Sequence, residues 1–174
     1  PRNHSSAASD VYKRQTRGGD STSVASQLSS GVSQIYAGSS AFAALRDDGS
    51  VVTWGDHDTS SSSSSVSSEI SSSISKIFQG NTAFAALKDD GSIVTWGNSQ
   101  YGGDSSSVSG QLSSGVSEIY ASNGAFAALK EDGSVVTWGE NTYGGDSSSV
   151  SDNLQSGVIS LSLIHISEPT RHRR

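Results

Sequence analysis

The chain has no cysteine and no methionine, proline occurs only twice in its 174 residues, and aromatic residues make up 7%. Without cysteine there can be no disulfide framework, although that absence fixes no compartment. No apolar run approaches the length needed to cross a bilayer as a helix, and no secretory leader is visible. Nucleophilic chemistry has little to draw on. There is no thiol, the one histidine away from the ends, His57, is not repeated, and the many serines sit in no motif with a paired base. The Gly-Gly-Asp segments at 102–104 and 144–146 lack the lysine and the following helix of a phosphate loop. Positive charge is also scarce: the net charge is −6.

What the chain does have is serine, glycine and one segment written three times. Ala41 to Gly55 reads AFAALRDDGSVVTWG, Ala83 to Gly97 reads AFAALKDDGSIVTWG, and Ala125 to Gly139 reads AFAALKEDGSVVTWG. Trp54, Trp96 and Trp138 stand 42 residues apart, as do Phe42, Phe84 and Phe126, so the chain is a tandem array. Each copy reads as a β-hairpin. Two short apolar runs flank a turn whose tip is Asp48-Gly49, Asp90-Gly91 or Asp132-Gly133, because glycine takes positive φ freely and aspartate tolerates it better than most residues.

The register fails at both ends. One codon choice for Asp10 to Gln15 (DVYKRQ) is the reverse complement of one for Leu161 to Ile166 (LSLIHI), and both segments resemble translated transposase-adapter sequence. Residues 1–15 and 161–174 are therefore expected to be adapter-like, non-native tails, leaving residues 16–160 as the array. The expected units are about 18–59, 60–101 and 102–143, with a partial fourth at 144–160. The tails hold six basic residues against two acidic ones, so without them the net charge moves from −6 to −10. Such an acidic stretch argues against a nucleic-acid partner, which needs clustered cations, and suits solubility instead.

Along each unit, Val24, Leu28, Val32 and Ile35 recur as Val66, Ile70, Ile74 and Ile77, then as Val108, Leu112, Val116 and Ile119. The segment around Ile35 and Tyr36 reads as a further strand. The serine-rich stretch ahead of it reads as a loop with a short edge strand. In the second unit the run 59–65 (TSSSSSS) replaces the Tyr-Gly-Gly-Asp of later units without gain or loss of residues, so it is a loop within the array and not a linker.

A periodic string of short strands with Trp-Gly once per unit fits an all-β propeller or solenoid. The progression Ala44-Leu45, Asp48-Gly49, Val51, Trp54-Gly55, repeated in the later copies, resembles the regulator-of-chromosome-condensation type of propeller repeat. The Ser-Gly-Val lead-in and compact units look most like the bacterial branch of that family, which includes a secreted β-lactamase-inhibitor propeller. The usual Gly-Gln-Leu-Gly after Trp-Gly is replaced here by Tyr-Gly-Gly-Asp or by serines. The resemblance implies an incomplete propeller of about three and a half blades, where relatives close at about seven. An arc has two uncovered ends, so the isolated array is expected to be marginally stable or self-associating.

Phe42, Phe84, Phe126, Trp54, Trp96 and Trp138 are candidates for a sugar-stacking platform, but their fixed place at strand ends favours packing between blades. With Gly55, Gly97 and Gly139 they are read as structural markers. Tyr101 and Tyr143, beside glycine pairs on loops, are the candidate ligand contacts. Asp47-Asp48, Asp89-Asp90 and Glu131-Asp132 could offer oxygens to calcium, yet a turn explains them without a metal, and no metal or cofactor is expected. The expected function is a non-catalytic propeller module that binds a protein through its loops, with no nucleic acid and no membrane insertion. Its place would be a larger bacterial protein, outside the cell or on its surface. The alternative is a carbohydrate-binding or accessory module of a secreted enzyme.

Overall fold

The computed structural model describes residues 20–55 and 63–162. Nine strands form three antiparallel sheets in tandem: β1 (Val32–Ala37), β2 (Ala41–Arg46) and β3 (Val51–Gly55), then β4 (Ile74–Gln79), β5 (Ala83–Lys88) and β6 (Ile93–Gly97), then β7 (Val116–Ala121), β8 (Ala125–Lys130) and β9 (Val135–Gly139). Each sheet is a three-stranded meander in sequence order. This is an all-β, incomplete propeller with one blade per repeat. No helix of the described residues is long and apolar enough to cross a membrane.

The hairpins form where the Asp-Gly signal places them. Gly49, Gly91 and Gly133 all take φ near +75°, and Asp48 Oδ1 accepts from the backbone N–H of Ser50 at 3.0 Å, closing the turn on itself. This register sets Phe42 opposite Trp54, Phe84 opposite Trp96 and Phe126 opposite Trp138. The rings stack, with centroids 5.2–5.4 Å apart. A one-residue bulge interrupts the first strand of each blade. There the hydroxyls of Ser33, Ser75 and Ser117 donate to the carbonyls of Leu45, Leu87 and Leu129, so the repeated serine supplies a bond at the point where the ladder slips.

Blades pack face to face because strand alternation sorts large from small. On β5, Phe84 and Ala86 join Val94 and Trp96 against Ala41, Ala43 and Leu45 of the preceding blade. Its opposite face, Ala83, Ala85 and Leu87, receives Ile119, Phe126 and Trp138 of the following one. The alanines let the sheets approach and leave room for the aromatic pair. Backbone bonds tie successive blades: Ile74 N–H to Gly49 O and Val116 N–H to Gly91 O, both at 3.0 Å.

The lead-in to each blade departs from the expected short edge strand. It is a helical turn: 3-10 at Thr22–Val24 followed by an α-turn at Ala25–Leu28, then 3-10 at Ser64–Val66, Ser106–Val108 and Ser148–Leu154. Asp20, Asp104 and Asp146 accept from the N–H two residues on, bending the chain out of the extended state. The apolar pairs Val66/Ile70 and Val108/Leu112 then fold onto the core at a spacing of four, which suits a helical turn.

Gly31 and Gly115 precede the first strand of their blades, and Gly157 holds the equivalent place in the partial fourth unit, with φ of 69–75°. Ser73 occupies the same position with φ 64°, the one non-glycine residue of positive φ among the described residues. Left-handed backbone costs an L-residue about 1–2 kcal/mol. Ser73 is exposed, so Ser73→Gly is expected to raise stability by about 1 kcal/mol. Urea denaturation reads this directly, and an unchanged or lowered midpoint would contradict it.

Candidate functional site

The loops that leave β6 and β9 are built alike. Each makes a short 3-10 turn, Ser99–Tyr101 or Asn141–Tyr143, capped by a left-handed glycine, Gly102 (φ 96°) or Gly144 (φ 97°). Both are anchored at their base, with Asn98 N–H donating to Thr82 O and Glu140 N–H to Gly124 O, each at 2.9 Å. Anchoring two equal loops on adjacent blades brings Tyr101 and Tyr143 together, with ring centroids 6.3 Å apart at 63°.

Gly124 lies between them. A Cβ there would stand 2.7 Å from each ring, so only glycine admits the pair. The corresponding residues of the earlier blades are Ser40 and Thr82. Gln100 Nε2 donates to Glu140 Oε2 at 2.8 Å, joining the same two loops, and Ser122 Oγ donates to Tyr143 O at 2.9 Å. Tyr143 remains 48% exposed, and beside it Tyr120, Ser122, Phe126 and Gly144 line a shallow cavity of about 150 Å³. The two tyrosines singled out in the sequence thus form one aromatic patch. Gly124, Gln100 and Glu140, which complete it, were not singled out.

The Phe and Trp markers lie elsewhere. Phe84, Trp96, Phe126 and Trp138 are buried between blades, whereas Phe42 and Trp54 are half-buried on the first blade. Trp138 Nε1 donates to Gly102 O at 3.1 Å. Trp96 Nε1 is buried with no hydrogen-bond partner among the described residues. Gly55, Gly97 and Gly139 have φ of 127°, 106° and 106°, so each tryptophan is followed by backbone that favours glycine. His57 and most of the serine run at 59–65 lie outside the described residues.

The turn carboxylates are engaged within their own turns. Asp48, Asp90 and Asp132 are held below the ordinary carboxylate range, first by the hydroxyl and next by the N–H of Ser50, Ser92 and Ser134. Asp104 and Asp146 are lowered first by the N–H and then by the hydroxyl of Ser106 and Ser148. Among the described residues no group of three or more His, Asp or Glu side chains is placed to hold a metal. Because the folded values are depressed, the stability these groups add is complete above the unfolded value of about 3.9 and is lost as pH falls through the folded one. The thermal midpoint is therefore expected to drop below about pH 4. Replacing Asp48, Asp90 and Asp132 together by asparagine should flatten that drop, and a drop of undiminished size would contradict the assignment.

Two larger grooves recur 84 residues apart along the array. One of about 390 Å³ includes Val24, Val51, Thr53 and Ser63, and one of about 490 Å³ includes Val108, Val135, Thr137 and Ser147. Among the described residues both are lined mostly by valine, serine and threonine, with no pair of groups suited to acid–base or nucleophilic work.

Residues 32–59 and 116–144 match the family model of the Regulator of chromosome condensation (RCC1) repeat. These segments resemble repeats of that type, and the sheets are arranged as an incomplete propeller. No curated protein matches it. It is similar to solved structures of the ectodomain of the Physcomitrella patens receptor kinase CR4 (19% identity, TM-score 0.44, covering 62% of this chain and 29% of that one), of Prp20p from Saccharomyces cerevisiae, studied for its binding to Gsp1p and histones (17%, 0.42, 62% and 30%), and of human WBSCR16 (20%, 0.43, 72% and 37%). The chain spans at most 37% of the length of each.

Proposed function

We propose that this array is a non-catalytic interaction module that binds another protein through the loop patch of Tyr101 and Tyr143. Repeats of this type commonly serve as protein-interaction modules. The observation that carries the reading is the tyrosine pair seated on Gly124. Large, rigid side chains presented at low entropic cost are the residues that dominate protein interfaces. In this reading residues 16–160 are the array, the adapter-like ends are set aside, and the native protein is longer, bacterial, and secreted or carried on the cell surface.

A photo-crosslinking residue in place of Tyr143 should capture a protein partner from the source organism, with capture competed by the unmodified chain and absent when the same residue replaces the exposed Ser113. Equal capture at both positions would overturn the reading. The second reading, a carbohydrate-binding or accessory module, draws on the same pair, because aromatic faces and edges also receive ligands with apolar faces. Glycan-array binding that is lost in Tyr143→Ala would favour it over the first.

A further inference from the structure

We infer that Tyr101 and Tyr143 form a modification site, where a peroxidase with hydrogen peroxide couples the two phenols into a dityrosine that staples the loop of one blade to the loop of the next. This chemistry needs only the geometry of the pair, not a partner bound to it. The ring centroids are 6.3 Å apart at 63°. Both rings also press on Gly124. Tyr101 Cδ1 and Tyr143 Cδ2 each lie 2.7 Å from the point a Cβ of residue 124 would occupy, so the two carbons are separated by no more than twice that distance. Each is bonded to a Cε, the ring carbon beside the hydroxyl-bearing one, where a phenoxyl radical couples. Held so close, the two rings meet far more often than rings on separate chains.

The other described tyrosines are placed differently. Tyr120 OH donates to Glu118 Oε2 at 2.9 Å and Tyr36 OH to Gln34 Oε1, and among the described residues neither has a second tyrosine against it. At the pair, hydrogen peroxide acting through the peroxidase takes one electron and one proton from each phenol and is itself reduced to two waters. The two phenoxyl radicals join by a Cε–Cε bond, and the hydrogens on those carbons move to the oxygens, restoring both phenols. The net change is the loss of two hydrogens. The new bond closes a span of 42 residues between loops already joined by the hydrogen bond of Gln100 to Glu140. With no cysteine in the chain, no disulfide can do the same. Arg17 and Thr59 stand at the tyrosine position of the earlier units, which confines the staple to these two loops.

Treatment of the dilute full chain with a peroxidase and hydrogen peroxide tests this. The expected product is a monomer lighter by two hydrogens, with the blue emission of a biphenol, and peptide mapping should join Tyr101 to Tyr143. Its thermal midpoint should rise by about 5–15 °C, because the closed span limits the unfolded chain. Tyr101→Phe and Tyr143→Phe keep the ring packing and should each cut the yield within one chain at least about tenfold, whereas Tyr36→Phe and Tyr120→Phe should leave it unchanged. Gly124→Ala should also lower the yield, by forcing the rings apart. If that variant fails to fold, the phenylalanine variants decide. No product, coupling between copies alone, or a junction that maps to other tyrosines would overturn the inference. So would a yield that survives Tyr143→Phe or is undiminished in a folded Gly124→Ala.

Discussion

Trp96→Ala is expected to cost about 3–5 kcal/mol, the range for removing a fully buried aromatic side chain. Trp96 is 2% exposed and stacks on Phe84 between the first and second blades. Its loss empties the contact that joins those blades, against a total stability of about 5–15 kcal/mol for an ordinary domain. Trp54→Ala should cost clearly less, since that ring is already half-buried. Phenylalanine separates packing from hydrogen bonding. Trp138→Phe leaves the Gly102 carbonyl without the indole donor, whereas Trp96→Phe removes a buried donor that has no partner among the described residues. Trp138→Phe should therefore be the more damaging of the two by about 1 kcal/mol. Urea titrations of the four variants check this order, and equal costs at Trp54 and Trp96 would contradict the packing.

Gly102→Ala is expected to cost about 3 kcal/mol, combining left-handed backbone strain with a collision in the packed core. Gly144→Ala provides an internal control. The two glycines have φ of 96° and 97°, but only the first has Phe126 against it. Gly144→Ala should cost about 1 kcal/mol, the backbone share alone. The difference between the two variants measures what it means for a loop to cover the next blade. It should vanish if the loops do not reach across.

The repeat was legible because its tryptophans and phenylalanines recur 42 residues apart, and the hairpins and Asp-Gly turns because each depends on residues within about fifteen positions of one another and on period-two alternation. The helical lead-in was not read correctly. Its signal was present in the four-residue spacing of Val66 to Ile70 and Val108 to Leu112, but abundant serine carries no clear preference by itself. The tyrosines were legible as loop aromatics next to glycine pairs. Gly124 was not, because Ser40 and Thr82 hold its position in the other blades, and its role comes from rings supplied by loops of two neighbouring blades. The uncovered state of Ile35 was likewise invisible in a letter shared with Ile77 and Ile119.

The claim on which all of this depends is that each blade buries the aromatic pair of the blade after it. Single-tryptophan chains, with the other two tryptophans replaced by phenylalanine, test it by acrylamide quenching at high dilution, where copies are separate. Trp96 and Trp138 should emit at short wavelength and resist the quencher, and Trp54 should be red-shifted and readily quenched. Three tryptophans of equal accessibility, or a Trp54 better shielded than Trp96, would contradict the account.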